Sequence, residues 1–268
     1  SLGYPCNSIF VDGAGNLCVA NMTLNLQKEQ LTVCTVNVST GATTRIFESK
    51  LSSNSYRIDY SNAFNNVTAT GGQIWAATTS NKVFCWTNNG NGEWTETSTT
   101  INDYYPAVVT ALGTAPYIQP ISTTQFIVDG AGTHPTLYTF NSGENATLNS
   151  SFAGYPSIQP MNALSNGTCS ITIGNTPLFV YVDDNHNGSG HSFSIVANKH
   201  NFDFSQFQFM KSIPENKLGK VQHDYALDQP VAIKNDDGSA TIFLYAPKNG
   251  LAAYRISLPE VEISLNSP

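Results

Sequence analysis

Charge is what this sequence has least of. Charged residues make up 12% of its 268 positions, the net charge is −7, and Arg45, Arg57 and Arg255 are the only arginines. A nucleic-acid surface needs clustered cations to neutralise phosphates, and twelve Lys and Arg across the whole chain are too few to build one. A Cys-x-x-Cys pair is also missing, which argues against a zinc ribbon. The uncharged stretch from Tyr104 to Ile127 is broken by Pro106, Gly113, Pro116 and Pro120, so it does not describe a membrane span. No window carries a sustained apolar period of 3.6, and the best helical candidate, Ser212 to Val221, contains Pro214 and Gly219. A serine nucleophile elbow, a phosphate loop and a sialidase-type Asp box are all absent.

What the chain does contain is a repeat. Val11-Asp12-Gly13-Ala14-Gly15 recurs as Val128-Asp129-Gly130-Ala131-Gly132, each copy preceded by an apolar pair. A Gln-Pro step recurs at Gln119-Pro120, Gln159-Pro160 and Gln229-Pro230, each followed by two apolar runs with a turn between them. Two further units, one around Ile9 to Val36 and one around Ile74 to Glu96, share the run spacing without the Gln-Pro. The runs are short, rich in β-branched and aromatic residues, and bounded by Gly, Asn, Asp and Pro, which is strand chemistry. Asn89-Gly90, Asn91-Gly92, Asp237-Gly238 and Asn249-Gly250 supply the positive φ that tight hairpins need.

These features predict an all-β chain forming one repeat domain over 1–268. Five units average roughly 54 residues, the size of a four-stranded propeller blade. The expected fold is therefore a β-propeller of five or six four-stranded blades, with a β-sandwich or jelly roll as the alternative. Residues from about 199 to 227 have no counterpart in the other units and are expected to be an insertion or part of a sixth blade. Gln119, Gln159 and Gln229 are expected at equivalent places in their blades.

A surface short of charge must be built from Asn, Ser and Thr, and that composition suggests a secreted or surface-exposed protein. The N-glycan acceptor pattern occurs at Asn21, Asn37, Asn66, Asn145, Asn149, Asn166 and Asn187. In a chain so rich in these residue types, about five or six such patterns arise by chance, so they support a secreted glycoprotein without establishing one. Asn145 and Asn149, just after the turn signal Asn141-Ser142-Gly143, are the best acceptors. The start at Ser1-Leu2, without a charged-then-apolar leader, fits a mature product or an excised domain. Of the five cysteines, Cys18 and Cys34 fall on runs that suit neighbouring strands, which makes them the candidate disulfide; buried free thiols are the other reading.

Chemistry-bearing groups are sparse. Asp183, Asn185 and Asn187 alternate ahead of Gly188, a spacing that resembles the calcium loops of integrin-type propellers. The loop departs from that pattern at position nine, His191, and at position twelve, Ser194, so a polar hairpin turn competes with it. Calcium is the only cofactor this suggests. His186, His191 and His200 lie close in sequence without a ligand spacing, as solvated turn histidines do. Glycosidase chemistry needs two converging carboxylates. Asp12 and Asp129 are candidates by repetition, but Asp-Gly is first of all a turn dipeptide. Trp75, Trp86 and Trp94 belong to one unit; the first two are expected in the core and Trp94 at the surface. Trp94, Tyr104 and Tyr105, with Asn89 and Asn91, would combine aromatic stacking with amide hydrogen bonding, the chemistry that recognises a sugar ring.

The leading expectation is a non-enzymatic, lectin-like recognition protein for a glycan or surface glycoprotein, small lectin propellers being similar in blade number. A structural or self-assembling coat subunit is the first alternative and a glycoside-processing enzyme the second.

Overall fold

In the computed structural model the described residues are 6–25, 28–49, 58–78, 81–102, 117–129, 135–151, 168–184, 191–198, 202–203, 206–213, 230–246 and 250–258. They form nineteen strands in five separate antiparallel sheets, each a meander in chain order. The first blade is β1 (Cys6–Val11), β2 (Leu17–Asn25), β3 (Lys28–Val36) and β4 (Thr43–Glu48). The second is β5 (Ile58–Phe64), β6 (Gln73–Thr78), β7 (Lys82–Gly90) and β8 (Glu93–Thr100). The third is β9 (Tyr117–Pro120), β10 (Gln125–Asp129), β11 (Thr136–Thr139) and β12 (Thr147–Ser151). The fourth is β13 (Thr168–Ile173), β14 (Thr176–Asp184), β15 (His191–Ala197) and β16 (Gln208–Ile213). The fifth shows three strands among the described residues: β17 (Val231–Lys234), β18 (Ala240–Ala246) and β19 (Gly250–Ile256).

The first strand of each blade lies next to the first strand of the following blade, in the order β1, β5, β9, β13, β17. These strands line the axis of a five-bladed propeller. The sandwich alternative is thereby excluded, and so is a sixth blade. The segment around 199–227, expected as an insertion, contributes β16, the outer strand of the fourth blade. Among the described residues no helix is long and apolar enough to cross a membrane.

The burial pattern explains why sheets stack this way. All six residues of β6 are buried, so both faces of that strand are covered. β8, at the blade's outer edge, keeps much of its length exposed. Between the first and second blades Phe10, Leu31, Val33 and Phe47 pack against Ile74, Phe84 and Trp86. Between the second and third, Trp75 meets Phe126 at 5.6 Å and Phe140 edge-on at 5.1 Å. Trp75 and Trp86 thus sit in the inter-blade cores, as the alternation of their strands predicts. Burying an aromatic of this size is worth on the order of 4–6 kcal/mol by area. Ile127, Leu137, Phe179 and Val196 join the third and fourth blades. Val180, Ile195, Ile242 and Leu244 join the fourth and fifth.

The repeats resolve differently from their sequence. Asp12 follows the innermost strand of its blade, whereas Asp129 ends β10, a second strand, so the two pentapeptides lie at opposite faces of the ring. The true counterpart of the 12–16 turn is 235–239. In both, the first residue's amide bonds the fifth residue's carbonyl (3.1 and 2.8 Å), and a fourth-position glycine at φ 83° or 82° bonds back to the first carbonyl. The Gln-Pro steps are not equivalent either. Pro120 ends the inner strand β9, while Pro230 immediately precedes the inner strand β17. Gln159 and Gln229 lie outside the described residues.

The expected disulfide does not form: Cys18, Cys34, Cys85 and Cys169 are free and buried. Cys18 pairs across the ladder with Thr35 and Cys34 with Val19, and adjacent positions on a strand point to opposite faces, so the two thiols cannot meet. Burial pushes the Cys18 and Cys85 thiols up to about 12, with the nearby Asp12 charge adding to the rise at Cys18. Cys34 and Cys169 are raised by burial as well. The reactive thiolate is therefore scarce at neutral pH in the folded state. Alkylation at pH 8 should leave these four thiols intact in native protein and modify all four in denaturant, which peptide mass mapping will read out. A non-reducing map should show no Cys18–Cys34 peptide.

Candidate functional site

At the axis, Ile9, Phe10, Val11, Asn62, Ala63, Gln119, Cys169, Ser170 and Pro230 to Ala232 line a cavity of about 140 Å³. Its polar groups are amides and a hydroxyl. Asn62 Nδ2 donates to the Ile118 carbonyl (3.4 Å) and to Gln119 Oε1 (3.3 Å), and Asn62 Oδ1 accepts from the Ala63 amide (2.8 Å). Among the described residues that line it there is no carboxylate.

Asp12 does not supply one, because its carboxylate is a structural clasp. It is 5% exposed. Its Oδ1 accepts from the amides of Ala14 (3.0 Å) and Asn16 (2.8 Å), and its Oδ2 from Asn16 Nδ2 (2.8 Å) and the Val67 amide (3.2 Å). The last bond ties the first blade to the second. Beside it the Gly13 amide bonds the Asn65 carbonyl (3.0 Å), and a Cβ on Gly13 would fall 2.8 Å from Asn65 Cα, so only glycine lets the two turns approach. Asn88 completes the clasp from the other side of the same loop, donating to the carbonyls of Val67 (3.1 Å) and Ala69 (2.8 Å). Sequence repetition marked Asp12 as a turn; nothing in the sequence marked Asn88 as its partner.

The acidic residues that could act on a substrate are placed by strand position. Asp59 is the only acid in the sequences of the five innermost strands, and it falls in the register break of β5 between Ile58 and Tyr60. Such breaks recur beside active sites because they re-aim a residue. Asp129 ends β10 opposite Tyr117, the first residue of β9. Asp183 and Asp184 end β14. The start of an innermost strand and the end of a second strand lie on the same side of a meander. These acids, from three consecutive blades, therefore share the face where the inner strands begin. The sequence reading did not single out Asp59, whose only signal is membership of an innermost strand.

Of the predicted calcium loop, the structure describes the two ends. Asp183 and Asp184 continue the ladder opposite Ser192 and His191, and Ser194, the twelfth position, is paired with Tyr181. Asn185, Asn187 and His186 lie outside the described residues, as does His200. Among the described residues no group of three or more His, Cys, Asp and Glu could hold a metal ion.

Of the predicted sugar platform, Trp94 is half-buried and meets Phe47 of the first blade edge-on at 4.9 Å, at the seam between blades. Asn89 is exposed and donates to Thr95 Oγ1 (2.6 Å), and Asn91 holds φ 55° in the turn between β7 and β8. Tyr104 and Tyr105 lie outside the described residues. Of the glycan acceptors, Asn37, Asn145 and Asn149 are exposed and Asn66 is partly so. Asn21 is only 3% exposed within β2, and its Oδ1 has no hydrogen-bond partner, so it is not an acceptor in the folded chain. Asn166 and Asn187 lie outside the described residues.

No family model and no curated protein sequence matches the chain. Solved structures do. The chain matches the Penicillium chrysogenum α-L-arabinanase over 96% of its own length and 83% of that protein's, at TM-score 0.54 and 11% identity. It matches CoXyl43, a GH43 β-xylosidase/α-arabinofuranosidase from a compost metagenome, over 96% and 92%, at TM-score 0.52 and 9% identity. It also spans 65% of the N-terminal domain of Nup159, at TM-score 0.45 and 13% identity. At such identities the two matches above TM-score 0.5 speak to the fold alone, and the chain's own five sheets make it a five-bladed β-propeller. The expectation of a non-enzymatic lectin-like protein is corrected on the same comparison: these two matches above TM-score 0.5 are to glycoside hydrolases.

Asp12→Ala removes four bonds to a buried carboxylate and leaves the Val67 amide without its partner. It should cost about 3 kcal/mol or more in a denaturant titration. In protein passed through a eukaryotic secretory pathway, glycopeptide mapping should find Asn145 and Asn149 modified and Asn21 unmodified.

Proposed function

We propose that the chain is a glycoside-processing propeller whose reacting carboxylates come from the face where the inner strands begin. The observation that carries this reading is the match over 96% of the chain to an arabinanase and to a xylosidase/arabinofuranosidase. The strand positions of Asp59, Asp129 and Asp183 support it, since hydrolysis of a glycosidic bond needs one carboxyl as acid and a second as base or nucleophile. Three consecutive blades that each bring an acid to one rim can supply such a pair. An axial cavity lined by apolar residues and side-chain amides, with neither carboxylate nor cation among its described residues, suits a neutral sugar better than a phosphate or a nucleotide. A secreted or surface-exposed setting belongs to the same proposal, supported by the exposed acceptors Asn37, Asn145 and Asn149.

The test is hydrolysis of arabino- and xylo-oligosaccharides and of aryl arabinofuranosides and xylosides by the purified chain. Asp59→Asn and Asp129→Asn should each lower kcat by about 10²- to 10⁴-fold, the usual worth of a positioned acid or base. Asp12→Asn, at the structural clasp, should leave kcat within a few-fold wherever the protein remains folded. A chain that cleaves none of these substrates, or whose Asp59 and Asp129 variants cleave as well as the parent, is not an enzyme of this kind.

A further inference from the structure

The seam between the third and fourth blades carries aromatic packing outwards, as the first two do. Phe179 meets Phe207 edge-on at 6.4 Å and Phe207 meets Phe202 at 6.1 Å, beside the buried Leu137. Beyond Phe202 lies a cavity of about 360 Å³ lined by Gln125, Leu137, Asn149, Ser150, Phe202 and Asp203. That volume falls within the range of small-molecule sites.

The backbone builds this cavity from both blades. On the third, Leu137 pairs with Ser150 and Tyr138 with Leu148, so Asn149 is the extra residue of a bulge at the blade's edge. Asn149 exchanges hydrogen bonds with Thr139 Oγ1 (2.8 and 3.3 Å). On the fourth, the turn before β16 is fixed by its own bonds. The Asp203 carbonyl accepts from Asn198 Nδ2 (3.1 Å) and from the Gln206 amide (3.0 Å), and Asp203 Oδ2 accepts from Gln206 Nε2 (2.9 Å). Gln125 begins β10 and Asp203 follows β15, so the cavity opens on the side where the inner strands end, away from Asp59 and Asp129.

We infer that this cavity is a second, non-catalytic binding site for a neutral saccharide. The half-buried Phe202 and the buried Leu137 form an apolar floor for the C–H face of a pyranose or furanose ring. The side-chain amides of Gln125 and Asn149 offer donors and acceptors, the Ser150 hydroxyl offers both, and the Asp203 carboxylate accepts from hydroxyl pairs. Among the described residues the lining contains no cation and one carboxylate, which disfavours phosphates and acidic sugars. Asn149 also heads a glycan acceptor sequence, so a glycan attached there would occupy or block the same space.

The experiment uses protein made without glycosylation and follows arabinobiose and xylotriose titrations by NMR and calorimetry. Phe202→Ala should weaken saccharide binding by about fivefold or more, the worth of one aromatic contact. Ser150→Trp, which fills the cavity without touching the Phe202–Phe207 packing, should abolish the site. Asp203→Asn should weaken it, with turnover of aryl glycosides unchanged in all three. A parent protein that binds neither sugar overturns the inference, as does a folded Ser150→Trp variant that binds as the parent does. Binding at this cavity in a chain that hydrolyses nothing would refute the proposed enzyme and keep this site; hydrolysis with a single binding site would do the reverse.

Discussion

The described blades meet face to face through four apolar seams, and a central sheet face left in water would undo them. That constraint organises the rest. A sheet whose central strand is buried along its whole length, as β6 is, cannot stand alone; it must be covered on both sides by other sheets. Stacking similar sheets around an axis satisfies each of them with its neighbours. The seams are apolar and aromatic, while the polar side chains are left for the turns. The small number of charged residues follows from the same geometry, because turns and outer edges can be solvated by Asn, Ser and Thr.

Apolar seams position sheets loosely, since dispersion has little directional preference; polar clasps set their angle. The Asp12 carboxylate and the Asn88 amide hold the 65–72 loop between them, and Gly13 admits the Asn65 backbone at a distance no side chain would permit. A second clasp joins the next pair of blades: Thr99 Oγ1 donates to the Glu144 carbonyl (2.9 Å), and Thr100 bridges to Asn145. The first lies on the side where the inner strands end; in the second, Thr99 is level with Tyr60 at the start of β5, through Val83 and Ala77. Seams and clasps together hold the ring, and the longer connections between blades are left to vary. In propeller folds, function sits in such connections and in the strand ends beneath them.

The two candidate sites follow from that division. At the rim where the inner strands begin, three blades contribute an acid each, with strand position as the common cause. On the other side, the cavity beside Phe202 in the third seam carries a mixed lining. One site would act on a glycosidic bond and the other would hold a sugar without changing it.

How much of this was legible beforehand can be read from particular residues. Strand type was, because β-branched runs between Gly, Asn and Asp turns have one period; so were the five units and the burial of Trp75 and Trp86, which alternation places between sheets. The pentapeptide at Asp12 and Asp129 was not, because Asp-Gly suits any tight reversal and says nothing about which end of a blade it closes. Cys18 and Cys34 were correctly assigned to neighbouring strands, yet their register decides which face each thiol takes, and register is a pairing property. Trp94 was legible as partly exposed beside Glu93 and Glu96, but its contact with Phe47 of another blade was not. Asp59 passed unnoticed because an acid gains meaning only when its strand is known to be innermost. Composition and periodicity, which are local, determined the blades; the order in which they meet, and so the grouping of acids, amides and aromatics from distant positions, was decided only when the ring brought them together.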